Sequence, residues 1–325
     1  MPDPAPFISV VIPNWNGASY LAGCLESLRR QGYDRFEVLV VDNGSTDGSD
    51  RMVEERYPEF RLVPMGRNLG FAAAANEGIR RSGGDLVALL NNDAEADPDW
   101  LAALAEGAAN HPEADFFACK ILLSDRRDVI HSAGDFYCRD GVPGNRGVWQ
   151  RDEGQFDREE YVPAACGAAS GWRRSLFEDV GLFDESLFMY CEDVDLSLRA
   201  QIRGHRCLYL PGARVYHRLS ATGGGEVASF FCGRNLISVA VKNLPGAVFR
   251  RYWPAFVRSQ ALFAVHSMRH LRERAARARL RGQAAGVLEV PRRLGQRRAI
   301  QRGRLVPENY LLSLLREPES SIERS

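Results

Sequence analysis

Apolar and polar positions alternate between two periods along this chain. FISVVIP, residues 7–13, is a short apolar run that Pro13 ends, and in the following NWNGASYLAGCLESLRR the residues Tyr20, Leu21, Cys24, Leu25 and Leu28 recur at helical spacing. FEVLVVD (36–42) repeats the arrangement with an almost wholly apolar strand, followed by turn residues and a second helix in DNGSTDGSDRMVEERY. RLVPM (61–65), the helix FAAAANEGIRRS (71–82) and DLVALLNND (85–93) continue it. Helices between apolar strands predict a doubly wound, mostly parallel central sheet with helices on both faces, through about residue 110.

From 116 to 173 the pattern shortens to β-like pieces with glycine-rich turns, which predicts a mixed sheet there. A helix containing FMYCEDVDLSLR (188–199) follows, then two strands, HRCLYLP (205–211) and ARVYHR (213–218), and a loop LSATGGGE (219–226). The remainder is predicted to be helical, with Phe249, Tyr252, Trp253, Phe256, Val257 and Phe263 at helical intervals among arginines and Pro254 starting or kinking a helix. The expected division is a nucleotide-binding and catalytic unit over 1–225 and a basic helical region over 226–325.

Charge sharpens that division. The 325 residues carry no formal net charge, yet residues 246–325 hold 17 Arg and no Lys against 6 Glu and no Asp, so the tail is basic and the body acidic. A basic extension on an acidic body suits an anionic surface, and the competing uses of the same complementarity are packing of the arginine-rich helices on the acidic body or a homodimer. The seven cysteines include no C-x-x-C pair, and an odd number cannot all pair, which fits reduced, cytosolic thiols. MPDPAPF lacks the features of a secretory leader and no run of 18 apolar residues occurs, so a cytoplasmic location is expected, with peripheral attachment to the inner face of the cell membrane.

Four places carry candidate chemistry. Asp42 ends an apolar strand, where α/β sheets bind ligands, although Asp-Asn-Gly-Ser is also ordinary turn chemistry. LLNNDAEADPDW delivers Asn91, Asn92 and Asp93 to the same edge, and oxygen ligands there suit a hard divalent cation that bridges a diphosphate; helix capping fits Asp97, before Pro98, better than Asp93. Glu192, Asp193 and Asp195 crowd the start of a helix, where the macrodipole alone favours acids. His217 ends the last strand and gains interest from the company of Asp42, Asp93 and Asp193.

In order across about residues 7 to 220, VVIPNWNGASYLAGCLESL, VVDNGSTDGS, RNLGFAAAANEG, LLNNDAEADPDWL, GLFDESLFMYCEDVDLSLR and PGARVYH resemble a family-2 glycosyltransferase of the GT-A fold, in its bacterial rhamnosyltransferase-like branch. The resemblance implies transfer of a sugar, with inversion, from a nucleotide diphosphate sugar to an acceptor hydroxyl. Asp42 would bind the nucleoside, and Asp93 would hold Mg2+ or Mn2+ on the diphosphate, with His217 as a further ligand. Asn91 stands at the first position of the D-x-D-like motif, a departure from two carboxylates. The resemblance places Pro13, Asn14, Asn16, Asn43, Asn68, Asn76 and Asn92 on the donor side, and Asp195 and Trp172 on the acceptor side.

Within that resemblance Asp193 is the general base that takes the acceptor's proton, and Glu192 raises its proton affinity or fixes its position. The implied donor is dTDP-rhamnose or a UDP-sugar, and the implied acceptor is a glycan or lipid-linked glycan of cell-surface or cell-wall polysaccharide synthesis. A sugar nucleotidyltransferase is the alternative enzyme, but PNWNGAS offers no Arg or Lys for a phosphate loop near the N-terminus. A non-enzymatic protein binding RNA or anionic lipid through its tail is the other alternative; it gives Asp42 and Asp93 no task, and nucleic acid is not an expected partner.

Overall fold

The computed structural model describes residues 5–219 and 224–318. Strand and helix alternate first, as the periods predict: β1 (Ile8–Asn14), α1 (Ala18–Arg29), β2 (Phe36–Asp42), α2 (Ser49–Arg56), β3 (Arg61–Pro64), α3 (Phe71–Arg81), β4 (Leu86–Leu90), a short β5 (Ala94–Ala96) and α4 (Trp100–Asn110). The glycine-punctuated middle forms β6 (Phe116–Leu123), β7 (Ile130–Ala133), β8 (Asp135–Cys138), β9 (Pro143–Asn145), β10 (Glu160–Val162) and β11 (Ala169–Arg173). Next come α5 (Arg174–Val180), a 3-10 turn at Glu185–Leu187, α6 (Glu192–Arg203) and β12 (Cys207–His217). The chain continues as α7 (Gly225–Asn243), α8 (Gly246–Arg269), α9 (Arg274–Leu288), α10 (Val290–Arg302), α11 (Glu308–Leu314) and β13 (Leu315–Arg316).

The main sheet runs β10-β12-β6-β11-β4-β1-β2-β3, with β5 beside β12 and β7 beside β6. β1 to β4 are mutually parallel where they pair, while β11 enters antiparallel between β4 and β6, which makes the sheet mixed as expected. Successive residues of a strand point to opposite faces. Ile8, Val10 and Ile12 accordingly pack with Leu21, Leu25 and Leu104 on one side, and Val11 packs with Ala74, Ile79 and Leu196 on the other. The two strands expected at 205–211 and 213–218 are one, β12, whose register shifts between Leu210 and Arg214 around Pro211 and Gly212. Pro211 has no N–H to donate, so the irregularity falls where the ladder loses a donor.

The C-terminal helices are built into the body. Ile237, Val239, Ala240 and Val241 of α7 share an apolar cluster with Leu187, Val194 and Leu198, the last two on α6. β13 pairs with β8, so the end of the described chain is tied back to the middle. Pro254 lies inside the continuous helix α8 rather than at its start.

Candidate active site

The parallel register sets Asn14 beside Asp42 at the carboxyl ends of β1 and β2, and β4 ends just before Asn91. These ends open into a cleft of about 1140 Å³. One side is lined by Pro13, Asn14, Trp15, Asn43 and Asn68, the floor by Asn91, Asn92, Asp93 and His217, and the far side by Asp135, Glu192 and Asp193. Residues distant in sequence meet here because crossover helices return each strand in the same direction, the position in which open α/β sheets bind ligands.

Side-chain amides organise the first side. Buried Asn14 donates through Nδ2 to Ser49 Oγ at 2.9 Å and to Asp42 Oδ1 at 3.3 Å, while its Oδ1 accepts from Asn92 Nδ2 at 2.8 Å. Asn43 Oδ1 accepts the Leu69 N–H at 2.9 Å, and its Nδ2 donates to Asn68 Oδ1 and to the Gly70 carbonyl, both at 3.1 Å, which fixes the 68–70 loop against β2. Asp42 stands one layer behind, taking the Ser45 N–H and Asn14, and is not among the residues that line the cleft. Asn16 is exposed, with φ of 52°, and its Oδ1 receives the Thr46 N–H, so it orders the turn between 14 and 18. Trp15, 42 % exposed at the rim and marked by no strand-end or acidic pattern, offers a flat apolar face for a planar ring.

The floor fits a divalent cation. Asp93 Oδ1 lies 3.1 Å from His217 Nε2, yet this buried oxygen receives no hydrogen bond from the described residues. His217 Nε2 is also 3.3 Å from Asn91 Nδ2, so one ring nitrogen faces both the Asp93 carboxylate and the Asn91 amide. A carboxylate oxygen and an imidazole nitrogen at that spacing are donor types that a divalent cation accepts. The His217 ring stacks on His131 at 5.1 Å with the two Nδ1 atoms 3.3 Å apart, which directs Nε2 toward Asp93. Burial, and then His217, pushes His131 down to about 3, so it remains neutral.

The far side gathers acids. Asp193 Oδ2 accepts the Gly167 N–H at 2.7 Å and Oδ1 accepts the Val194 N–H at 2.8 Å, so the carboxylate is aimed by backbone on both sides. Burial nevertheless raises its pKa above the ordinary aspartate value. Glu192 holds its proton well above the usual carboxylate range because of burial and then Asp193 beside it, and its Oε2 has no hydrogen-bond partner among the described residues. Asp135, Cys166 and Asp193 bring one polar atom each within 4.8 Å of one another. Burial and then Asp193 push Asp135 up to about 7, while Ser132 and Asn145 both donate to its Oδ1, at 2.6 and 2.8 Å.

The segment leading to these acids is conformationally costly. Phe188, Tyr190 and Cys191 all have φ between 65° and 67°, a left-handed conformation that costs non-glycine residues about 1–3 kcal/mol each. α7 holds it in place: Asn235 Nδ2 reaches the carbonyls of Leu187, Met189 and Tyr190 at 2.7–2.9 Å, and Arg234 Nη2 donates to those of Ser186 and Leu187. Gly70, with φ of 91°, lets α3 approach from the other side, since a Cβ there would stand 2.5 Å from the Phe188 carbonyl oxygen.

Besides Asp42 and Asn16, which do not line the cleft, three further expected site residues do other work. Trp172 is fully buried, its ring stacked 4.8 Å from Phe116 and its Nε1 donating to Ser170, so it cannot meet an acceptor; the parity of β11 turns it into the core. Asn76 is spent on the Phe183 backbone and Glu185, fastening α3 to the loop before α6. Asp195 is fully buried away from the cleft, paired with Lys242 at 2.8 Å and Arg199 at 2.9 Å and accepting from Asn243. Burial raises its pKa, but Lys242 and Arg199 outweigh that and hold it below the ordinary value.

Comparison with known proteins agrees with this arrangement. The family model described as glycosyl transferase family 2 matches residues 9–181. An N-acetylglucosaminyl-diphospho-decaprenol L-rhamnosyltransferase of Mycobacterium tuberculosis is 32% identical over 245 residues, covering 68% of this chain and 79% of that protein. Among solved structures, the mannosyltransferase PcManGT of Pyrobaculum calidifontis in complex with GDP-Man and Mn2+ superposes with a TM-score of 0.55 at 20% identity, over 96% of this chain and 84% of that one. S. aureus TarS 1-349 in complex with UDP-GlcNAc does so with a TM-score of 0.57 at 16% identity, over 91% and 90%. The fold is therefore the GT-A glycosyltransferase fold, and the chain belongs to glycosyltransferase family 2.

Proposed function

We propose that this glycosyltransferase moves rhamnose from dTDP-rhamnose to a hydroxyl of a lipid-linked glycan, with inversion at the anomeric carbon, in the synthesis of a cell-surface or cell-wall polysaccharide. The observation that carries it is the joint placement of an amide-lined strand edge, the Asp93–His217 pair and Asp193 in one cleft. The similarity to a rhamnosyltransferase of a lipid-linked substrate supports the choice of sugar and acceptor.

Asn14, Asn43 and Asn68 present the donor-side wall, with Trp15 at its rim, and Asp42 keeps that wall in register by holding Asn14 and the Ser45 N–H. Asp93 and His217 would hold Mg2+ or Mn2+, which when bound supplies positive charge to the departing diphosphate. The acceptor oxygen forms its bond to the anomeric carbon as the bond to the diphosphate oxygen breaks, and Asp193 takes the hydroxyl proton. The N–H groups of Gly167 and Val194 hold the Asp193 carboxylate in place. Desolvation keeps its affinity for the proton high, and Glu192, protonated beside it, adds no second negative charge. No covalent intermediate is required.

No helix among the described residues is long and apolar enough to cross a membrane, and we place the enzyme on the cytoplasmic side as a peripheral protein. Incubation of the purified chain with dTDP-rhamnose, UDP-sugars and GDP-mannose against an N-acetylglucosaminyl-diphospho-polyprenol tests the assignment. Rhamnosyl product from dTDP-rhamnose alone is the expected result. Turnover of another donor with none from dTDP-rhamnose contradicts it.

A further inference from the structure

A cavity of about 560 Å³ lies outside the reaction cleft. Its walls are Leu271, Arg274, Arg277, Leu280 and Arg281, with Glu226 from the first turn of α7. Arg274, Arg277 and Arg281 recur at helical spacing along one face of α9. Arg281 pairs with Glu226 at 2.7 Å, and Arg277 Nη1 donates to the carbonyls of Leu271 and Arg272. Those contacts aim two guanidinium groups while leaving further N–H groups of each available. The next residue of α7, Val227, lines the reaction cleft, so the arginine row lies beside its mouth.

The helix that leads into this pocket is apolar on the outside. On α8, Trp253, Val257, Leu262, Val265 and Met268 are exposed, and Leu271 is 49 % exposed in the turn that follows. Phe256, one of the aromatics that recur at helical intervals, is buried, and Tyr252 packs partly against the same cluster. Residues 246–288 contain nine Arg and a single acidic residue, Glu273. An exposed apolar stripe beside an excess of arginine is the composition of a surface that enters the headgroup layer of an anionic bilayer.

We propose that the outer faces of α8 and α9 dock on an anionic phospholipid bilayer, with the Arg274–Arg277–Arg281 row receiving a lipid phosphate and holding the mouth of the reaction cleft against the membrane. This deepens the reading of a peripheral enzyme with a lipid-linked acceptor and rests on it. The apolar side chains supply the interfacial insertion, and the arginines select the charge of the surface. Screening by salt weakens the second contribution and leaves the first.

Sedimentation of the full chain with vesicles tests the surface. The wild type should partition onto mixed phosphatidylglycerol–phosphatidylcholine vesicles and not onto phosphatidylcholine alone. Combined Arg274→Gln, Arg277→Gln and Arg281→Gln should lower partitioning on the order of 10²-fold, at roughly fivefold per arginine. Met268→Ser with Leu271→Ser should weaken it without touching the arginines, which guards against a folding defect from loss of the Arg277 contacts. Inorganic phosphate, matched in ionic strength by chloride, should leave vesicle binding in place. The proposal is overturned if the wild type stays in the supernatant with anionic vesicles at low salt, if the triple variant partitions like wild type, or if phosphate alone displaces the protein. It is likewise overturned if these substitutions abolish a dimer seen by analytical ultracentrifugation, since a second copy then covers the face. Nucleotide diphosphate binding in vesicle-free solution should be unchanged in every variant, so failure of the surface is separable from failure of the enzymatic assignment.

Discussion

Asp193 and Asp195 stand two residues apart on α6 and face different worlds. Asp193 lines the cleft, is held by two backbone N–H groups, and meets no cation within ion-pairing distance among the described residues; burial raises its proton affinity. Asp195 points beneath the cleft into a dry network in which Lys242 also reaches Asp184 at 2.7 Å and fully buried Arg293 reaches Asp184 at 3.2 Å. There the countercharges overcome burial and hold Asp195 and Asp184 below the usual carboxylate range. Identical side chains at one helix start thus become a candidate base and a structural anchor, and the difference is supplied by α7 and α10. The C-terminal helices therefore take part in making the site: they neutralise the acids underneath and hold the strained turn above.

The largest effect separates the two aspartates directly. Asp193→Asn preserves size and most of the helix-start geometry but accepts no proton, so transfer at saturating donor and acceptor should fall roughly 10²–10⁴-fold with little change in melting temperature. Asp195→Asn should do the reverse. Breaking one partner of a buried ion pair costs about 3–5 kcal/mol, so chemical denaturation should show a large loss of stability while turnover per folded molecule stays within a few-fold of wild type. The sign with pH follows from its depressed pKa: the Asp195 contribution is present above the unfolded value, 3.8, and is lost as pH falls through the folded one. The variant should therefore lack that part of the wild type's acid sensitivity. A third substitution tests the floor of the cleft. With Asp93→Ala, calorimetry should find nucleotide diphosphate binding weakened, by about tenfold or more, and no longer strengthened by Mn2+ or Mg2+, whereas the wild type should respond to both and to a chelator.

The same contrast explains what could be read from sequence. The place of Asn92, Asp93 and His217 at one sheet edge was legible because each closes or follows an apolar strand, and a parallel sheet brings such ends together, whereas Asn14 and Asn43 came from the resemblance. Glu192 and Asp193 were legible from the resemblance and from an acidic helix start. Asp195 was misjudged because its partners, Lys242 and Asn243, lie almost fifty residues further on in a helix whose docking no local pattern announces. Trp172 was misjudged because its orientation depends on which face of an inserted antiparallel strand meets Phe116. His131 and Asp135 were missed altogether: they arrive on β7 and β8, in the β-rich stretch where no motif marks them, and only the folded excursion sets them beside His217 and Asp193. The exposed stripe of α8 was foreseen as a basic, aromatic helix, but packing decided that Phe256 turns in and Trp253 turns out.

The dependence of kcat on pH tests the assignment of Asp193 most directly. Transfer requires the ionised carboxylate, so the wild-type rate should rise with pH through an apparent pKa above 3.8, the ordinary aspartate value, and then level. That limb should persist in Asp195→Asn, measured where the variant is folded, and disappear with the bulk of the activity in Asp193→Asn. A wild-type kcat that stays flat down to the onset of acid unfolding, or an Asp193→Asn variant that retains both rate and limb, contradicts the account.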